Sequence, residues 1–365
     1  MPRVRDQIAG IVPYKPGKPI SELQRELGVS QVIKLASNEN PVGPSPKAVA
    51  ALREMLDEAD LHRYPDGGGF YLKQALSEKW GLSPDHFILG NGSNEIIEFL
   101  CRTFVGPGEE VVAADLTFVV YRLITTAAGG RITEVPLRDF THDLPAMAAA
   151  VGPDTRLLFV CNPNNPTGTH NTAAQVADLL SRVPDDLIVV FDEAYAEYVD
   201  ADDYPDTVAV LRSRPNTVIL RTFSKVYGLP ALRIGYGITS PEIVDYLNRV
   251  RQPFNTNELA QRAALAALDD TDHVDESIRI NAEGKARMYR FFGELGLEYL
   301  PTQANFVYVN VGMDGGKVFD ACLREGVILR HIHGDWVRVT VGLPSELDRF
   351  ESVFRKVMSA LGHAG

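Results

Sequence analysis

The stretch TFSKVYGLPALRIGY (222–236) sets Lys225 beside two hydroxyls, Thr222 and Ser224, and places Arg233 eight positions later. A lysine in such company can act as a nucleophile, and a guanidinium among hydroxyls suits an anion. Three further segments carry reactive groups. GNGSNEIIEF (90–99) is a Gly-rich turn feeding a helical pattern, where free N–H groups favour an anion and Gly92, Ser93 and Asn94 line the turn. CNPNNPTG (161–168) follows an apolar run, and its prolines and Gly168 shape an irregular loop that presents the Asn165 amide. VVFDEAY (189–195) closes another apolar run with Asp192 and Tyr195, and a carboxylate there is costly unless paired or hydrogen-bonded. Taken singly, these segments also read as a solvated lysine, a turn with a cap, and an aspartate opening a helix.

The elements that must position these groups follow from the hydrophobic pattern. Short apolar runs HFILG, EVVAAD, RITEVPL, TRLLFVCN, LIVVFDE, NTVILRTF and RIGYGIT are strand-like. Most are separated by helical stretches such as NEIIEFLCRTF and TAAQVADLLSRV. Apolar strands linked by helices predict an α/β fold whose mostly parallel sheet is covered on both faces. Ligands of such sheets gather at the carboxyl ends of the strands, where the polar motifs fall. Upstream, SPKAVAALREMLDEAD predicts a helix with Ser45 as N-cap and Pro46 in the first turn. After residue 255 long helices and the runs ANFVYVNV, GVILRHI and WVRVTVGL predict a smaller α+β domain. The division is an N-terminal arm over 1–30, a large domain over 31–255 and a small domain over 256–365.

Bulk properties exclude several classes. A chain of 365 residues with 45% hydrophobic content can bury a sizeable core, and its net charge of −12 argues against a nucleic-acid or anionic-membrane surface. Cys101, Cys161 and Cys322 are odd in number, far apart and in apolar contexts, which predicts buried thiols in a reducing compartment. His331 and His333 read as strand or loop residues rather than metal ligands, and no metal is expected. With no apolar stretch suited to a signal peptide or a membrane span, the expected location is the cytoplasm.

Jointly, the four segments offer an anion cradle, an amide, a carboxylate with a phenol, and an amine. A cofactor with a phosphate, a phenolic oxygen, a ring nitrogen and an aldehyde uses all of them, and pyridoxal 5'-phosphate is such a molecule. The order and spacing of the motifs resemble the fold-type-I pyridoxal-phosphate aminotransferases. Within them, LASNENPVGPSP (35–46), HRYPDGGG (62–69) and PYKPGKPI (13–20) resemble the histidinol-phosphate aminotransferases. The resemblance implies that Lys225 tethers the cofactor and shuttles the proton, that Asp192 holds the pyridine nitrogen protonated, and that Asn165 and Tyr195 bond its phenolic oxygen. Gly92, Ser93, Asn94, Thr222, Ser224 and Arg233 would hold the phosphate, and Phe118 would stack on the ring. Tyr64 would reach the neighbouring subunit's site in a homodimer with shared active sites. Arg338 matches the arginine used for the α-carboxylate, and Arg330 a second one added for a substrate phosphate. With Tyr14 and the partner subunit's Tyr64 they would hold histidinol phosphate, and glutamate or 2-oxoglutarate in the other half-reaction.

One departure is the short HIHGDW between GVILR and VRVTVG, where related chains carry a longer loop. An aromatic-amino-acid aminotransferase is the nearest alternative, and pyridoxal-phosphate lyases are more remote. A regulatory module would need a DNA-binding domain, and a nicotinamide enzyme a G-x-G-x-x-G after its first strand; neither is seen.

Overall fold

All seven apolar runs of the first two-thirds of the chain form strands of one sheet. The structure, a computed structural model, describes residues 3–13, 22, 24, 25, 32–58 and 61–362. The strands are β1 (Phe87–Gly90), β2 (Glu110–Ala114), β3 (Arg131–Val135), β4 (Thr155–Cys161), β5 (Ile188–Asp192), β6 (Thr217–Thr222) and β7 (Gly235–Ile238). They lie in the order β1-β7-β6-β5-β4-β2-β3. All neighbours are parallel except that β7 runs antiparallel to both β1 and β6.

Alternate residues of the central strands feed different cores, which is why these runs are apolar without interruption. On β4, Leu157 and Phe159 join one cluster with Ile96, Leu100 and Leu220, while Leu158 and Val160 join another with Leu179 and Phe191. The helix Ser93–Phe104 covers the first face, and the helix Ala173–Arg182, closed by a Thr172–Gln175 capping box, covers the second. Ser45 caps the helix Pro46–Glu58 by accepting from Ala48 N–H, as the sequence predicts, and its hydroxyl also donates to Asp270.

The second body is a four-stranded antiparallel sheet of β8 (Tyr299–Leu300), β9 (Phe306–Asn310), β10 (Arg330–His333) and β11 (Trp336–Thr340), in the order β10-β11-β9-β8. Val337 and Val339 point into a core with Phe292, Phe350 and Phe354 from the helices Thr271–Glu294 and Pro344–Ala360. The opposite face carries Arg338 and Thr340 toward the large sheet. β10 and β11 are joined through Gly334 (φ 54°) and Asp335, so the short HIHGDW segment is a tight hairpin. By packing, the helix Glu258–Leu268 joins the core beside β1 and β7, and Ile33–Lys34 pairs in parallel with Val327–Ile328 of the small body. The chain thus enters the small body before it builds the large one.

Candidate active site

The carboxyl ends of β4, β5 and β6 meet the start of the helix Ser93–Phe104 and the polar face of β11. Together they enclose a cavity of about 220 Å³. Asp192 and Thr222 are the last residues of their strands, and Asn165 stands in the loop after β4. The cavity wall includes Ser93, Asn94, Phe118, Asn165, Asp192 and Tyr195. It also includes Thr222, Ser224, Lys225, Arg233, Arg330 and Arg338. Segments more than two hundred residues apart in sequence therefore share one wall.

Lys225 leaves the loop after β6, with Nζ 3.4 Å from Ser37 O and 5.4 Å from the centroid of the Tyr195 ring. Burial, and then the nearby Arg338 guanidinium, lowers its pKa to about 7, against the pull of Glu39. On the same cavity wall Asp192 is buried and accepts from Tyr121 O–H at 2.7 Å and from Ala194 N–H at 3.3 Å. Burial raises its pKa, and Tyr121, the Ala194 amide and Lys225 oppose the rise. The two groups thus feel each other across a space lined by both.

A cradle for an anion lies at one end. Ser93 and Asn94 begin a twelve-residue helix whose first N–H groups are free of helical partners. Ser224 N–H donates to Thr222 Oγ1 at 3.1 Å, and Arg233 Nη1 donates to Ser224 Oγ at 3.3 Å. Among the described residues the other hydrogen bonds of Arg233 go to Pro230 O and Asn91 O, not to a carboxylate. Gly92 (φ 77°) has no room for a side chain, since a Cβ would lie 2.1 Å from Arg233 Nη2.

At the opposite end, Arg338 donates to Asn165 Oδ1 and to Ala36 O, the latter at 2.7 Å. Arg330 faces Arg338 directly across the β10–β11 ladder. Both arginines, with Phe118 and Asn165, also line an adjoining cavity of about 590 Å³ that extends past His331 and Ile332 to residues 10–13 of the arm.

A wide set of relatives shares this architecture. Residues 30–352 match the family of aminotransferase class I and II. Over 364 residues the chain is 51% identical to the histidinol-phosphate aminotransferase of Moorella thermoacetica, covering 98% of this chain and 94% of that protein. The chain belongs to the histidinol-phosphate aminotransferase family. It is also 47% identical over 353 residues to histidinol-phosphate aminotransferase 2 of Pseudomonas fluorescens, covering 95% of each. The crystal structure of the Sinorhizobium meliloti histidinol-phosphate aminotransferase with pyridoxal-5'-phosphate superposes with a TM-score of 0.91 at 29% identity, covering 99% of each chain.

The residues present fit that cofactor. Among the described residues the guanidinium of the cradle has no carboxylate partner, and the same cavity wall carries a buried carboxylate and a lysine with a lowered pKa. Phe118 is half-buried on the wall, with its ring perpendicular to that of Tyr121 at a centroid distance of 5.7 Å.

One predicted side chain stands apart from this wall. Tyr64 is 81% exposed and stacks on Phe254 at 4.6 Å, away from the cavity of its own chain. Tyr14 lies outside the described residues. Two others at the site escaped the sequence reading, Tyr121 and Asn38. The three-residue step from Phe118 to Tyr121 was a usable signal, because it places both rings on one side of a helix start. Asn38 carried a weaker one, an asparagine inside the ASNENP motif with no visible partner.

Proposed function

We propose that this chain transfers the amino group of L-histidinol phosphate to 2-oxoglutarate, giving imidazole acetol phosphate and glutamate, with pyridoxal 5'-phosphate as cofactor. The reaction is a step of histidine biosynthesis. The observation that carries this reading is the cross-strand pair Arg330 and Arg338 on the wall of the cavity that holds Lys225. Like charges directly opposite in a ladder repel, and a shared anion turns that repulsion into attraction. A phosphate monoester suits two planar guanidinium forks, and the carboxylates of glutamate and 2-oxoglutarate suit the same pair.

When bound, the cofactor supplies an aldehyde that takes up the donor amine and a ring that draws electrons from the carbon being deprotonated. Lys225 Nζ would hold that aldehyde between turnovers. Its neutral amine would take the proton from the substrate Cα and hold it for return. Asp192 keeps a proton on the pyridine nitrogen, supported by its buried bond from Tyr121. Asn165 and Tyr195 bind the phenolic oxygen, Phe118 packs on the ring, and Gly92, Ser93, Asn94, Thr222, Ser224 and Arg233 bind the phosphate. The adjoining cavity gives substrates room beside the arginines.

In this reading the functional unit is a pair of chains, with the partner subunit's Tyr64 and the arm residue Tyr14 completing the phosphate site. Cys101, Cys161 and Cys322 are buried and unpaired, which favours a reducing compartment such as the cytoplasm. Among the described residues no helix is long and apolar enough to cross a membrane.

The test mixes the cofactor-loaded enzyme separately with histidinol phosphate, glutamate, phenylalanine and tyrosine, and follows loss of the cofactor's visible band. Histidinol phosphate and glutamate should discharge it fastest. Arg330→Ala should slow histidinol phosphate roughly 10- to 100-fold, the loss of a charge-assisted bond, and phenylalanine far less. Equal slowing of both donors would remove phosphate recognition from Arg330, and faster discharge by phenylalanine in the parent would favour an aromatic donor.

A further inference from the structure

Asn38 is 1% exposed and its backbone is left-handed, with φ 54°, a conformation that asparagine tolerates better than most residues. Its peptide N–H donates to Thr340 Oγ1 at 3.0 Å, and the direction of that bond is fixed because a peptide N–H can only donate. The Thr340 hydroxyl keeps its own proton for Asn38 Oδ1, 3.2 Å away. Which end of an amide is oxygen is decided by its neighbours, and here Thr340 decides it. Asn38 Nδ2 is thereby left facing Tyr195 OH at 2.8 Å.

An amide NH2 has no acceptor capacity, so the phenol oxygen of Tyr195 receives this bond. Its own proton must point elsewhere. Among the described residues no group of the chain takes that proton, and Tyr195 lines the cavity with Lys225 Nζ over its ring. Asn305 Nδ2 donates to Asn38 O at 3.1 Å, which holds the turn from the backbone side. The small body therefore contributes to the cofactor end of the site through Thr340 and Asn305, neither of which lines the cavity.

We propose that Asn38 is a positioning residue that turns the Tyr195 hydroxyl proton toward the cofactor's phenolic oxygen. The inference rests on the cofactor assignment made above. A donor on that oxygen stabilises its anionic form, so the protein-bound cofactor gives up its proton at a lower pH than it does without the donor. Asn38 acts through Tyr195, and its effect depends on the Tyr195 hydroxyl being present.

The experiment is a pH titration of the cofactor's visible absorbance in the loaded parent, Asn38→Gly, Tyr195→Phe and the double variant. Glycine is chosen because it keeps the left-handed backbone without strain while removing the side chain. The midpoint should rise by about one pH unit in Asn38→Gly, the worth of one neutral hydrogen bond. Tyr195→Phe should raise it at least as far, and the double variant should match Tyr195→Phe. A parent-like midpoint in Asn38→Gly overturns the proposal, as does a double variant whose shift is the sum of the two single ones. Asn38→Asp keeps the volume but only accepts, so the phenol proton turns to it and the midpoint should rise again; a parent-like midpoint there also overturns the proposal. Thermal unfolding of the cofactor-free forms shows that each variant folds. A parent with no titrating visible band would instead overturn the cofactor assignment.

Discussion

Lys225 is a buried amine with two guanidinium groups, Arg338 and Arg233, lowering its proton affinity further and Glu39 and Asp192 only partly restoring it. With a pKa of about 7 roughly half of it is neutral at neutral pH, against about one in three thousand for an unperturbed lysine. The cofactor-free protein should therefore capture the aldehyde at a rate that rises with pH and levels off above about 7. Stopped-flow absorbance would show this, and a rate still climbing well above pH 9 would mean an ordinary lysine. Lys225→Ala should abolish covalent capture and turnover while the melting temperature of the cofactor-free form holds or rises, since a desolvated amine is removed. At this scale Lys225, Asp192, Asn165 and Arg233 were legible because polar groups at the ends of apolar runs are conspicuous. The bonds that give Tyr121 and Asn38 their importance were not, because they run to Asp192 across 71 positions and to Tyr195 across 157. Such pairings exist only once the sheet has formed.

The strands and their mostly parallel arrangement were legible from unbroken apolar runs linked by helices, and the reversal of β7 was not. A run buried on both faces reads the same either way, so nothing in RIGYGIT announced that β7 opposes both of its neighbours. The two-residue pairing of Ile33–Lys34 with Val327–Ile328 is too short for any period. The departure noted in HIHGDW became intelligible as a two-residue turn at Gly334, which keeps Arg330 opposite Arg338. The LASNENPVGPSP segment is an element of the site in its own right. Asn40 Nδ2 donates to Val226 O at 2.8 Å, and a Cβ on Gly228 would lie 1.9 Å from Gly43 O, so this segment sits directly against the Lys225 loop. Gly92 makes the corresponding close approach at the helix start. Gly92→Ala should force Arg233 out of the cradle and add backbone strain at φ 77°, weakening cofactor affinity about tenfold or more. Equilibrium reconstitution of the cofactor-free variant measures this, and unchanged affinity would separate the cradle from the phosphate.

At the scale of the whole molecule, one chain leaves conspicuous aromatic surface uncovered. Tyr64 stacks on Phe254, and Phe70 meets Tyr71 edge-on at 5.3 Å, with all four rings exposed. Clustered exposed rings of this kind mark an interaction surface, and in the proposed dimer they would be covered by the second copy. Phe254 also holds a left-handed backbone at φ 57°, a strained setting for a bulky residue. If Tyr64 serves the neighbouring site, each site needs Lys225 from one chain and Tyr64 from the other. Lys225→Ala and Tyr64→Ala chains should each show low turnover alone. A mixed dimer of the two would concentrate both defects in one site and leave the other whole. Equal refolding of the two should then recover about a quarter of parental activity, from half the dimers carrying one good site of two. If Tyr64 instead served its own chain, every site in the mixture would carry one defect and no activity would return. Recovery on mixing thus separates a shared site from a self-contained one.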